Sequence, residues 1–353
     1  MQHGPGLMLA IPARHTQRVI GYFQFQWSFT MRKFLLSTIL ASLPALGASG
    51  AMAQSSAGIT TYGFVQIGQS RISGSSSDTQ SYYFGDFGGS YSFGNYGGVD
   101  IGLDLGVMGF GSLDSGSNPP AVTFGAVTFG FGSNKVSVGA PRAAYDMAAL
   151  PFMGSTGNGL LGAEFYLYGL SVNDLARINI ASDVQSYGLR YDGMFSGTHV
   201  AASWNRIAQG GDSLDTYGVA AMYQMGNIGL YGGTEYSKGT GTSDLQLSLI
   251  GATYDYGKGT AGLAVSYGNV LFSMVSNATQ VRGFVNYDVT DRLKLTANAW
   301  GITQGSSDNI RAYGIGADYK VFSNASIEAG YMRFDSSSGS PGDVTSIALN
   351  WSF

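Results

Sequence analysis

The side chains that could carry chemistry are few and unevenly spaced. His199 is the only histidine beyond residue 15, and Ser203 follows it four residues later. A serine beside a histidine is the pairing of a nucleophile with its general base. Asp100 and Asp104 form a second pair, and paired carboxylates serve hydrolysis when an apolar pocket raises the pKa of one of them. Four acids, Asp146, Glu164, Asp174 and Asp183, fall in one stretch, with Arg142 at its start. Cysteine is absent, which excludes thiol nucleophiles and thiolate metal sites. The 54 glycines recur along the whole chain rather than gathering in one phosphate-cradling loop.

The elements that must position these groups read as strands. Leu103, Leu105 and Val107 alternate with Gly102, Asp104 and Gly106, and Val281, Val285 and Tyr287 alternate with Arg282, Phe284, Asn286 and Asp288. Period-two alternation over about ten residues marks a strand between two different environments. The pattern predicts sixteen strands, at 58–72, 79–93, 98–111, 121–132, 135–142, 184–192, 198–208, 215–225, 228–238, 244–256, 260–269, 279–289, 293–304, 309–321, 325–335 and 344–353. Short turns such as Gly226-Asn227 and Ser323-Asn324 alternate with longer Ser/Gly/Asp-rich connections. In 244–256 the alternation changes phase, and in 121–132 both phases are apolar. A bulge, or a wall covered from inside, would account for either.

Composition separates a membrane barrel from a soluble sandwich. Only 11% of residues are charged, yet mean hydropathy is just +0.06. Strands of about ten residues suit a tilted bilayer crossing, whereas soluble strands average 5–6. Tyr62, Tyr191, Tyr223, Tyr236, Tyr287, Tyr319 and Tyr331 fall near strand ends, where interfacial girdles belong. The polar phase holds too few bulky apolar residues to close a dry core. The fold expected is therefore all-β, a transmembrane antiparallel barrel of sixteen strands with both termini on the short-turn, periplasmic side. The stretch 143–183, too long for a structureless surface loop, is expected to fold into the lumen.

Ahead of this region stands a complete leader. Met31-Arg32-Lys33 opens a charged segment, Phe34–Leu46 is apolar, and Ala51-Met52-Ala53 has the small-x-small pattern of a cleavage site. Residues 31–53 read as a signal peptide, 54–353 as the barrel domain, and 1–30 as a start assigned too early or an extended leader. Removing 1–53 takes away Arg14, Arg18, Arg32 and Lys33 and no acid, so the net charge falls from −4 to −8. No basic tract remains for nucleic acid.

Residues 54–353 resemble the Gram-negative general-diffusion porins, most closely the alphaproteobacterial type. The resemblance rests on the leader ending Ala51-Met52-Ala53, on Phe131-Gly132-Ser133-Asn134-Lys135-Val136-Ser137-Val138-Gly139 before the long third loop, on that loop's position, and on the last strand ending in Phe353. It implies a homotrimer in outer-membrane lipid and lipopolysaccharide that passes small hydrophilic solutes. It also implies that Phe353 signals to the barrel-assembly machinery. Such porins usually set acids on the third loop against arginines on early wall strands. Here the first three strands offer only Arg71, and the inward phase gives Asp100 and Asp104.

The constriction is expected to draw on Asp146, Glu164, Asp174, Asp183, Arg142, Arg190, Arg282 and Lys320, and the lumen wall on Asp100, Asp104 and Lys294. The acidic balance suggests a preference for cations. Two other functions stay open: a solute-specific channel, for which Phe152, Phe165, Tyr166 and Tyr168 are the aromatic candidates, and an outer-membrane lipid hydrolase built on Ser203 and His199. His199 follows a short turn, the wrong end for such a site. No catalytic group, cofactor or resident metal is expected, and Ca2+ at loop carboxylates stays open.

Overall fold

A computed structural model of the protein describes residues 58–73, 79–113, 121–149, 171–173, 185–209, 211–240, 244–270, 275–304, 307–337 and 341–352. Sixteen strands follow one another: β1 (Ile59–Ile72), β2 (Gln80–Tyr96), β3 (Val99–Ser112), β4 (Ala121–Phe131), β5 (Asn134–Ala140), β6 (Gln185–Phe195), β7 (Thr198–Gln209), β8 (Asp212–Met225), β9 (Ile228–Gly239), β10 (Leu245–Asp255), β11 (Thr260–Val270), β12 (Val275–Asp288), β13 (Leu293–Gln304), β14 (Ser307–Phe322), β15 (Ala325–Ser336) and β16 (Gly342–Ser352). Each pairs antiparallel with the next, and β1 pairs with β16, so the sheet closes and no edge is left. All sixteen predicted strands are present. The ladders run past the apolar alternation at some loop ends, as where β12 begins at Val275.

Alternation decides which way each side chain turns. Ile67, Leu105, Ile250, Ile315 and Ile347 are 38–70% exposed on the outer face. Their neighbours Gln66, Thr296, Asn298 and Ser346 are buried on the inner one. An apolar exterior and a polar interior invert the soluble rule and match a barrel in lipid. Tyr62 departs from the expected girdle. By register it lies opposite Gly88, on the same face as the inward Phe64 and Asp86.

The two irregular strands are explained by what lies inside them. The ladders of β10 to β9 and β11 run without a register shift, so its change of phase is no bulge. Leu247 and Leu249 turn inward and are buried, while Ile250 and Tyr254 turn outward. On β4, Val122 and Phe124 are likewise buried inward. The bulges fall elsewhere, for example between Ser92 and Gly94 in β2.

The short turns are built for hairpin twist. Between β6 and β7, Ser196 (φ 47°) and Gly197 (φ 83°) both take positive φ, the primed geometry that matches right-handed strand twist. Gly268 is fixed by crowding: at φ +135° a Cβ would sit 1.9 Å from the Gln246 carbonyl oxygen. Among the described residues no helix is long and apolar enough to cross a membrane, which says nothing against crossing by strands.

Candidate functional site

The chain after β5 turns into the barrel. A four-residue helix, α1 (Asp146–Ala149), follows Pro141–Tyr145. Tyr145, Ala148 and Ala149 are fully buried in one apolar cluster with Phe84, Met108, Val122 and Phe124 on one side and Ala220, Leu247, Leu249, Ala264 and Phe284 on the other. These partners belong to β2–β4 and to β8–β12. A segment that touches both sets lies within the lumen. Burial raises the Tyr145 phenol well above its usual pKa, so it stays neutral in the pore.

Charged side chains tie this segment to the wall. Arg142 makes a bidentate pair with Asp86 on β2 at 2.8 and 2.5 Å, and its guanidinium lies 4.6 Å over the Phe124 ring. Arg190 on β6 donates to the Arg142 and Ala143 carbonyls at 3.3 and 3.2 Å and forks onto Asp192 at 2.9 and 2.7 Å. His199 Nε2 lies 3.2 Å from Asp192 Oδ1. Lys135 on β5 reaches Asp104 on β3 at 3.0 Å.

A second attachment holds the far part of the same segment. Asp146 Oδ1 accepts the Ser171 N–H at 2.9 Å. Glu235 on β9, 1% exposed, accepts the Ser171 hydroxyl at 2.6 Å and the Val172 N–H at 2.5 Å. Asp146, Ser171 and Val172 are thereby held together against β9.

The predicted residues can now be placed. Arg142 and Arg190 meet at the start of the segment, but the charge order differs from the one expected. The base is on the segment and the acid, Asp86, is on the early wall. Asp146 is fully buried and its described contact is with Ser171, so it acts in the joint. Arg282 turns inward as its alternation indicated and is 1% exposed. Lys294, Asp318 and Glu328 lie in successive register on the inner faces of β13–β15, with Lys320 one inward step beyond Asp318. Gln66 donates to Glu328 at 2.8 Å and Ser326 to Asp318 at 2.7 Å. Asp100 and Asp104 face inward, Asp100 accepting from Asn95 at 2.8 Å. Arg71 faces outward, opposite Thr345, and so leaves the first three strands with no lumen arginine. Glu164, Asp174, Asp183, Phe353, the aromatics Phe152, Phe165, Tyr166 and Tyr168, and the leader lie outside the described residues.

Sequence reasoning missed Asp86, Lys135, Asp192, Glu235 and Glu328 as contacts. Their inward parity was legible, since each is an ionisable residue next to one outward apolar or aromatic side chain: Phe87, Val136, Tyr191, Tyr236 and Ile327. Their partners were not, because those come from distant strands.

The geometry does not assemble the hydrolytic groups. His199 and Ser203 both face inward, but four residues of strand separate them by about 13 Å. His199 meets Asp192, and Ser203 Oγ accepts the Ala144 N–H at 2.8 Å. Asp100 and Asp104 are spread in the same way and have separate partners. Among the described residues no group of His, Cys, Asp and Glu is placed to hold a metal ion.

Known proteins agree with this architecture. A variant of Rh. blastica porin is 20% identical and covers 84% of this chain and 100% of its own, with a TM-score of 0.59. A second Rh. blastica variant is 18% identical over the same shares, with a TM-score of 0.58. At these identities the likeness is one of fold. No curated protein matches the chain. The model of the Gram-negative porin family matches residues 37–339. A match over that span, on a closed barrel with a polar lumen, shows that the chain belongs to the Gram-negative porin family.

Proposed function

We propose that this outer-membrane porin is a general-diffusion channel with a mild preference for cations, in which the segment between β5 and β6 sets the size limit. The observation that carries the reading is the seat of Tyr145–Ala149 inside the barrel, packed against two sets of strands. A segment fixed there narrows an aqueous passage, and discrimination is by size and local field. Among the described residues, the acids on the lumen side are Asp86, Asp100, Asp104, Asp146, Asp192, Asp212, Glu235, Asp255, Asp288, Asp318 and Glu328; the bases are Lys135, Arg142, Arg190, Arg282, Lys294 and Lys320. That balance supports the cation preference. No turnover is part of the reading, because the barrel needs only to hold the passage open.

The finer features follow the family resemblance. The chain works as a homotrimer with both termini in the periplasm, Phe353 is read by the barrel-assembly machinery, and cleavage follows Ala53. N-terminal sequencing of the protein from membranes is expected to begin at Gln54; any other start overturns the leader assignment. The function is tested by conductance in planar bilayers. Insertions in steps of three, conductance linear in salt, and a reversal potential of cation sign in a KCl gradient are expected. An anion-sign potential removes the preference, and conductance that saturates with one added solute replaces general diffusion by a specific channel.

A further inference from the structure

The inner wall where the sheet closes carries two acids side by side. Asp318 on β14 and Glu328 on β15 are directly opposite in register, both face the lumen, and their carboxyl groups are in contact. Each is held by neutral donors from the wall. Ser326 donates to Asp318 at 2.7 Å, Gln66 donates to Glu328 at 2.8 Å, and Asn350 is a second donor to Glu328. A carboxylate has about four lone-pair sites, so both acids keep acceptor capacity. Lys294 stands opposite Asp318 on β13, yet no ion pair among the described residues includes either acid. Like charges directly opposite one another repel, so the pair calls for a proton or a cation between its oxygens.

A second feature of the wall points to the same place. Tyr82 on β2 faces inward and is 1% exposed, and its hydroxyl is buried without a hydrogen-bond partner. Tyr82, Gly68, Ala348, Glu328 and Asp318 follow one another in a single row across β2, β1, β16, β15 and β14. The hydroxyl lies over Gly68, where an added Cβ would stand 2.6 Å from it, so the ring is laid along the row towards the acids. Two strand spacings, about 10 Å of backbone, separate Gly68 from Glu328. The Glu328 side chain narrows that gap, since it crosses β16 to meet Gln66 on β1. Only Gly68 and Ala348 lie between, and neither puts more than a methyl group into the row.

Three acceptors therefore converge on one stretch of wall, two of them charged. A primary ammonium offers three N–H donors around a compact positive charge, which matches them in number and in sign. A divalent cation takes six or more oxygens and is poorly served by two carboxylates.

We infer that Asp318, Glu328 and Tyr82 form a subsite on the lumen wall for the primary ammonium group of a permeating solute. Each carboxylate accepts one N–H, and the Tyr82 oxygen accepts the third. The inference deepens the diffusion reading and rests on it in that the inner face meets water: solutes carrying an ammonium group dwell on this wall during passage.

The test uses the full chain folded in a non-ionic detergent, with ethylammonium as the probe and saturation-transfer NMR as the readout. Saturable binding in the millimolar range is expected. E328Q and D318N should each raise the half-saturating concentration about tenfold, and Y82F about threefold. K294Q should lower it about threefold, because a neighbouring cation is removed; tightening of this kind cannot come from loss of fold. Tetramethylammonium, charged but without N–H groups, and ethanol, neutral, should bind about tenfold more weakly than ethylammonium. Absence of saturable binding to the wild type overturns the inference and leaves the two acids sharing a proton. It is equally overturned if tetramethylammonium binds as tightly as ethylammonium, or if half-saturation is unchanged in E328Q, D318N or Y82F. Conductance of the same preparations in KCl alone reports on the channel reading separately. Loss of conductance with ethylammonium binding intact overturns that reading and leaves the subsite standing.

Discussion

Glu235 shows how much one inward side chain can organise. It has two carboxylate oxygens, and each takes one donor from the chain at 171–172. Glu235→Gln replaces one acceptor by a donor and leaves the Val172 N–H or the Ser171 hydroxyl unmatched. Charge-assisted bonds of this kind are worth about 1.5–3 kcal/mol. The variant is expected to show noisier, larger single-channel conductance, and a double-mutant cycle with Ser171→Ala should give a coupling of about 1–2 kcal/mol in thermal unfolding. Additive effects of the two substitutions would mean that the bond does not hold the segment. Gly268 gives a backbone counterpart. Gly268→Ala meets the Gln246 carbonyl at positive φ and should cost about 1–3 kcal/mol, read as a lower urea midpoint.

At the scale of a strand, the two faces predict opposite responses to the same substitution. Ile315 on β14 is 63% exposed outward, whereas Asn298 on β13 is buried inward. Ile315→Arg places a cation in hydrocarbon and should destabilise by about 2–4 kcal/mol in vesicle unfolding. Asn298→Arg should leave stability within about 1 kcal/mol, because water reaches the lumen, and should lower cation conductance. Equal costs at the two sites would show that the outer face does not meet lipid. The leucines of β10 make the same point from within. Leu247 and Leu249 break the rule that the inner face is polar, and they do so where Ala148 and Ala149 cover them. A strand can therefore read as two-sided apolar and still be a regular barrel strand.

For the whole molecule, closure is the decisive property. The pairing of β1 with β16 brings Gln66 to Glu328, residues from opposite ends of the chain, and gives every strand two neighbours. It also creates an inside that takes up Tyr145–Ala149. Long-range pairs of this kind, such as Arg142 with Asp86, fix the lumen's charge pattern with the base on the inserted segment and the acid on the wall. The outside is set apart in a different way, with aromatics at one rim and charge beyond the aromatics at the other.

Much of this was legible in the chain alone. Alternation located all sixteen strands and gave the inward parity of Arg190, Arg282, Lys294 and Lys320, because period two is a property of each strand by itself. Connection lengths singled out 143–183 as the long insertion, of which Tyr145–Ala149 pack against inward side chains of the wall. Who meets whom was not legible. Asp86 and Arg142 are 56 residues apart, and nothing local to either names the other. The same holds for Glu235 with Ser171, for Asp192 with His199 across a hairpin, and for Arg206, Asp215 and Lys238, which only register sets side by side. A strand's two faces are fixed by its own sequence, since the pleat turns successive side chains to opposite sides. Its partners are fixed only when the sheet closes, because stagger and barrel curvature bring distant strands across a shared lumen.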